Sequence, residues 1–144
     1  MNDTITIPKW FKITAIIAII WNLLGVLAFF GHITMTPDTL ATLSVAEQDL
    51  YKNMPLWATI AFAIAVFSGL FGSIGLLLKK AFCLPLLVIS LISLIIQDIH
   101  SFLMINTIEV YGAQAVIMPT AVMVIAILLI IMANKAKNNH WIKH

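Results

Sequence analysis

The sequence has no arginine, and charged side chains of either sign make up only 10% of its 144 residues. A water-soluble domain of comparable size carries roughly 25%, so too little polar surface is present to coat a body that faces water. The single Cys83 excludes an intramolecular disulfide and a cysteine-based metal site. It lies close to Lys79 and Lys80 and reads as a small apolar residue. There is no basic stripe with interleaved aromatics, and the formal charge is only +2, which excludes nucleic acid as a partner. H-E-x-x-H, G-x-S-x-G and phosphate-cradling glycine loops are all missing, so no enzyme and no cofactor are expected.

What is present is apolar. Hydrophobic residues account for 62% of the chain and the mean hydropathy is +1.06. The natural solvent for such a chain is lipid, whose hydrocarbon core takes roughly 20 helical residues per crossing. Four runs meet that length, at about residues 11–31, 56–78, 81–104 and 113–133. They leave room for little else, so residues 1–144 read as one transmembrane domain. An isolated strand would leave backbone groups unpaired in lipid, and barrel strands alternate in polarity where these runs do not. The expected fold is therefore all-α, an integral-membrane four-helix bundle. The first run follows Lys9 and Lys12 but is longer than the h-region of a signal peptide, and Ala28-Phe29-Phe30-Gly31-His32 offers no cleavage site. It is expected to be retained.

Lysine placement orients the bundle. Lys9 and Lys12, the Lys79-Lys80 turn, and Lys135, Lys137 and Lys143 fall on one side, against Lys52 alone on the other. Both termini are then cytoplasmic, and Asp38, Glu47, Asp49 and Glu109 lie outside. Trp10, Trp57, Tyr111 and Trp141 stand near span ends, where interfacial aromatics belong. Pro8, Pro55 and Pro85 sit before or within first turns, where a missing N–H is harmless. Pro119 is different. In a helix that begins at Ala113 it frees the Ala115 carbonyl and introduces a kink. In the outer loop from His32 to Met54, Thr36-Pro37-Asp38 reads as a helix start and Ser44-x-x-Glu47 as a capping box. One or two short surface helices are expected there, with Leu40, Leu43 and Leu50 turned to the bundle or lipid.

Polar residues within the spans are the functional candidates. In the first span, a helical turn of about 100° per residue gathers Thr14, Ala18, Asn22, Gly25, Phe29 and His32 on one face. Asn22 at mid-span is either an interhelical hydrogen-bonding group or a solute ligand. The second span collects Ala58, Ala61, Ala65, Ser68, Gly69, Gly72 and Gly75 in one arc, a surface suited to close helix packing. In the third span Ser90, Ser93, Gln97 and Ser101 form a polar stripe, flanked by His100, with Asp98 around the other side. A helix entering at Leu84 puts Asp98 about 9 Å inside the outer boundary, whereas one entering at Lys80 leaves it interfacial. A metal shared by His32, Asp98 and His100 is not demanded by their spacing, and none is expected. The fourth span has no polar group between Thr120 and Ala133 and should face lipid over much of its circumference. His140 and His144 have metal-binding spacing on a helix, but a frayed end is the simpler expectation.

Trp21-Asn22-Leu23-Leu24-Gly25, Met54-Pro55-Leu56-Trp57 and the run from Phe67 through Ser68-Gly69-Leu70-Phe71-Gly72-Ser73-Ile74-Gly75 to Lys79-Lys80, continued by Pro85, Ser90 and Ser93, resemble a group of small bacterial membrane proteins. The resemblance covers most of the chain through apolar, glycine-rich motifs. It implies a four-span protein of the bacterial inner membrane, in a group uncharacterised but often labelled as sugar transporters. The Pro-Gln pair of the semi-SWEET sugar transporters and the first-helix Glu of small multidrug exporters are both absent.

The function expected from these features is small-solute transport or permeation, along a polar path formed by Asn22, Ser90, Ser93, Gln97, Asp98 and His100. The alternative is an accessory or structural subunit that packs on a larger membrane protein through Ala61, Ala65, Ser68, Gly69, Gly72 and Gly75. The expected partners are the lipid bilayer, a small solute, and a second copy of the chain or another membrane protein.

Overall fold

The computed structural model describes residues 4–104 and 107–143, and every regular element among them is a helix. Four of these are long and apolar enough to cross a membrane. They are α1 (Lys9–Ile33), α4 (Leu56–Leu77), α5 (Cys83–Ile99) and α7 (Gln114–Asn138). The α5 span continues to Leu103 through a π-helical turn at His100–Met104. Three short helices lie in the connections: α2 (Pro37–Ala41), α3 (Val45–Lys52) and α6 (Thr107–Tyr111). The last span runs to Asn138, further than the hydropathy pattern indicates. Ala133 and Ala136 are fully buried, so packing carries the helix past the point where the apolar run stops.

Helix starts follow local chemistry. Pro8 and Pro55 occupy the N-cap positions of α1 and α4, and Pro37 opens α2, where no backbone N–H is needed. The Thr36 hydroxyl accepts a hydrogen bond from the Thr39 N–H at 3.2 Å. Ser44 and Glu47 form a reciprocal capping box: Ser44 Oγ accepts from the Glu47 N–H at 3.2 Å, and Glu47 Oε2 accepts from the Ser44 N–H at 3.0 Å. Leu40, Leu43 and Leu50 are half-buried.

The spans pack with α4 between α1 and α5, while α7 leans on α5 and barely meets α4. Small residues explain the central place of α4. A β-carbon at Gly69 would run into the Asn22 side chain of α1. One at Gly72 would come within 2.9 Å of the Leu87 side chain, and one at Gly75 within 2.7 Å of Phe82 and 3.2 Å of the Cys83 Cα. Lipid supplies no hydrophobic drive between helices, so this close approach and the dispersion it allows hold the layers together.

The two ends of the bundle differ. At one end α4 and α7 stop in the same way, each with a residue in the left-handed region at the position where glycine is usual: Lys79 at φ 59° and His140 at φ 58°. The Lys80 N–H bonds to the Gly75 carbonyl at 2.9 Å, and the Trp141 N–H to the Ala136 carbonyl at 2.8 Å. The two turns then join through backbone bonds, Lys143 N–H to Lys79 O at 2.8 Å and Ala81 N–H to Lys143 O at 2.9 Å. Trp141 meets Trp10 and Phe11 edge-on, at centroid distances of 5.9 and 5.6 Å, and Ile142 is buried. The C-terminal segment expected to fray is therefore docked through Lys143, because its backbone and indole find partners on three other segments. His144 lies outside the described residues.

The main buried cluster belongs to this end and draws on all four spans, through Phe11, Ala15, Leu76, Cys83, Leu87, Met132 and Ala133 among others. A second cluster, towards the other end, joins α1 and α4 alone through Val26, Phe29 and Val66. Opposing side chains thus close the bundle at the lysine-bearing end more completely than at the far end.

Gly75→Ala should lower thermal stability in detergent by about 1–3 kcal/mol, the usual cost of overpacking. Gly31→Ala, with nothing within 4 Å of the new methyl, should be neutral or slightly stabilising. Equal melting temperatures for the two variants would contradict the close-packed role of α4.

Candidate functional site

Asn22 emerges from α1 onto the smoothest part of α4. Its amide donates to the Ala18 carbonyl at 2.8 Å and to Ser73 Oγ at 3.1 Å, and Ser73 in turn donates to the Gly69 carbonyl at 2.8 Å. From the other side, Ser90 Oγ of α5 donates to the Ala65 carbonyl at 2.7 Å. Ser68 donates to the Ile64 carbonyl of its own helix. The mid-span polar groups are thus spent on hydrogen bonds within and between helices, the ordinary fate of hydroxyls and amides in lipid. Gly69 is what lets Asn22 and Ser90 converge on one point of α4, since a β-carbon there would meet both side chains.

The cavity beside them measures about 20 Å³ and is lined by Trp21, Asn22, Gly69, Leu87, Ser90 and Leu94, with Val122, Ile125, Ala126 and Leu129 of α7 closing it. A single water needs about 10–15 Å³ on the same measure. This space takes one water and no larger solute.

The remaining candidates on α5 do not converge on that cavity. Ser93 is buried and Gln97 half-buried. Two residues along an α-helix turn through about 200°, and Asp98 and His100 diverge accordingly. His100 is 2% exposed and stands edge-on to Trp57 of α4, with ring centroids 5.0 Å apart, and its Nδ1 has no hydrogen-bond partner among the described residues. His32, at the end of α1, stacks instead on Tyr51 of α3 at 4.9 Å. Among the described residues no three His, Cys, Asp or Glu side chains come together in a metal-binding group.

Asp98 turns to α7. It lines a cavity of about 170 Å³ with Phe102 on its own span and Pro119, Thr120, Met123 and Val124 opposite. Asp98 lies five residues before Leu103, where the span ends, so at 1.5 Å per residue it sits about 7.5 Å inside that end. Pro119, the sixth residue of α7, has no N–H to give the Ala115 carbonyl. Among the described residues no cation or hydrogen-bond donor pairs with the Asp98 carboxylate. Pro119 and a carboxylate with no partner among the described residues therefore share one cavity.

Two sequence-level expectations change. Of the six candidates, Asn22 and Ser90 meet beside Gly69, whereas Asp98 lines a cavity towards α7 and His100 stands against Trp57 of α4. The small-residue face of α4 is filled from within the chain. Ala61, Ala65, Ser68, Gly69, Gly72 and Gly75 are all buried, with the glycines against α1 and α5. The composition of the Asp98 cavity was not visible in sequence. Asp98 and Pro119 each stand out alone, but only the packing of α5 on α7 pairs them and adds Phe102, Thr120 and Met123.

Just beyond the spans, α3 and α6 meet. Burial raises the pKa of the Tyr111 phenol above its ordinary value, and the nearby Glu47 and Tyr51 push it the same way. No family model, curated protein or solved structure matches this chain.

Asn22→Leu removes the bonds to Ala18 and Ser73 and should cost about 0.6–2 kcal/mol of thermal stability. A variant as stable as the parent would show that the amide is not a packing group.

Proposed function

We propose that the chain is a small-solute transport unit of a bacterial inner membrane, with its working site at Asp98. The observation that carries this reading is a carboxylate inside a span that has no partner among the described residues and lines a cavity with Pro119 of the neighbouring helix. Ionisable groups at such depth are costly and are kept where they act on an ion, a proton or a substrate. A proline inside a spanning helix leaves one backbone carbonyl without its usual N–H, and such a group is tolerated where it can turn to a cavity and its occupant.

The orientation proposed with it has both termini and the Lys79-Lys80 turn in the cytoplasm. The N-terminal start of α1, the α4–α5 turn and the C-terminal segment are gathered at one end of the bundle by the contacts of Trp10, Phe11, Lys79 and Lys143. These segments carry seven of the eight lysines, and such a bias marks the cytoplasmic face. The Asp98 cavity then opens in the outer half of the bilayer. A second copy of the chain is the expected partner, because the central cavity is too small for one copy to pass a solute alone.

Uptake by proteoliposomes across a broad solute panel tests the reading. At least one solute should be moved, with a loss on the order of tenfold in Asp98→Asn, as follows when one member of a charge pair is removed. Asn22→Leu should transport normally. A folded protein that moves no member of the panel would refute the proposal.

A further inference from the structure

The Asp98 cavity also has a chemistry that selects its occupant. It is open on one side and has a volume of about 170 Å³. One wall holds a single carboxylate, and among the described residues Thr120 supplies the only other side-chain oxygen of the lining. Phe102, Pro119, Met123 and Val124 make the rest apolar.

Inorganic ions suit this site poorly. Calcium takes six to eight oxygen ligands, and magnesium keeps a strict octahedral shell. Here two oxygen-bearing side chains stand among carbon and sulfur, and a hydrated ion would lose its water against walls that return nothing. Zinc needs histidine, cysteine or several carboxylates, and no such group forms among the described residues. An anion would meet the charge of Asp98 directly. A neutral sugar would bring many hydroxyls to a wall with two hydrogen-bonding side chains, leaving most of them unpaired at a cost.

An organic ammonium matches each feature. Its single positive charge answers the single carboxylate. Its alkyl or aromatic body lies on Pro119, Met123 and Val124, and the ring of Phe102 offers a face that attracts a cation. Low hydration of a substituted ammonium removes the penalty that excludes metal ions. We propose that the Asp98 cavity binds a small monovalent organic cation, an ammonium that carries an apolar or aromatic body. The inference rests on the reading of Asp98 as the working site and adds the class of its ligand.

The test is equilibrium binding of radiolabelled benzyltrimethylammonium to the full chain in lipid nanodiscs, with empty nanodiscs subtracted. The parent should bind saturably, and the uncharged carbon isostere neopentylbenzene should not compete. Asp98→Asn should weaken binding at least about tenfold, while Asp98→Glu retains it and Asp38→Asn, an equal charge change in the outer loop, has no effect. Thr120→Trp, which fills the cavity and leaves the carboxylate in place, should also abolish binding and guards against a folding defect in Asp98→Asn. No saturable binding by the parent, or equal binding by a folded Asp98→Asn, would overturn the inference. Failure of the two proposals can be told apart. Saturable, Asp98-dependent binding without any flux removes transport and upholds the site. Uptake of a neutral solute that is unchanged in Asp98→Asn removes the site and leaves transport.

Discussion

Contact at backbone distance between α4 and its two neighbours organises this molecule. In lipid the attraction between helices comes from packing rather than from exclusion of water, so an interface forms where side chains are small enough to let the backbones meet. Gly69, Gly72 and Gly75 supply that surface, and the Asn22, Leu87 and Cys83 side chains fill the space that a β-carbon would take. The polar residues of the same layer follow from this approach. Asn22 reaches Ser73, and Ser90 reaches the Ala65 carbonyl, because the helices are close enough for hydrogen bonds to span them.

Because α4 spends its small face on α1 and α5, α7 is left to pack on α5 and to close the bundle by other means. It does so at the lysine-bearing end, where two left-handed helix stops join through backbone bonds and Trp141 wedges beside Trp10 and Phe11. Lys135 lies over the Trp10 ring, 5.6 Å from its centroid, in the geometry of a cation–π contact. Among the described residues no comparable cluster of all four spans forms at the other end, where the second buried cluster joins α1 and α4. Between α5 and α7 a cavity of about 170 Å³ lies beside Asp98, where Pro119 has no N–H to add to the hydrogen-bond ladder of α7.

The proposals of transport and of an organic cation as ligand both grow from this asymmetry. The centre of the bundle is sealed around satisfied polar groups, with room for about one water. The end of α5 away from the lysines holds a carboxylate with no partner among the described residues in a largely apolar setting, a combination that is expensive unless a cation or a proton completes it. A carboxylate is thus placed where its state depends on an occupant, and the residues around it restrict which occupants gain by entering.

The number of membrane-length helices, their approximate limits, the caps at Thr36 and Ser44 and the grouping of lysines on one side were all determined by the sequence alone. These depend on local quantities: the hydropathy of a run, the geometry of one turn, or the charge on a short loop. Asn22, Gly69 and Asp98 could each be recognised as unusual for the same reason. Their relations could not, because a polar residue on a helix of known phase still has several neighbours to turn to, and the order of packing chooses among them. Only the tertiary structure decided that Asn22 bonds to Ser73 and Ser90 to the Ala65 carbonyl, that Asp98 shares a cavity with Pro119, and that the tail through Lys143 is bound. Each outcome is settled by contacts between residues far apart in the chain, and no periodicity within one segment carries that information.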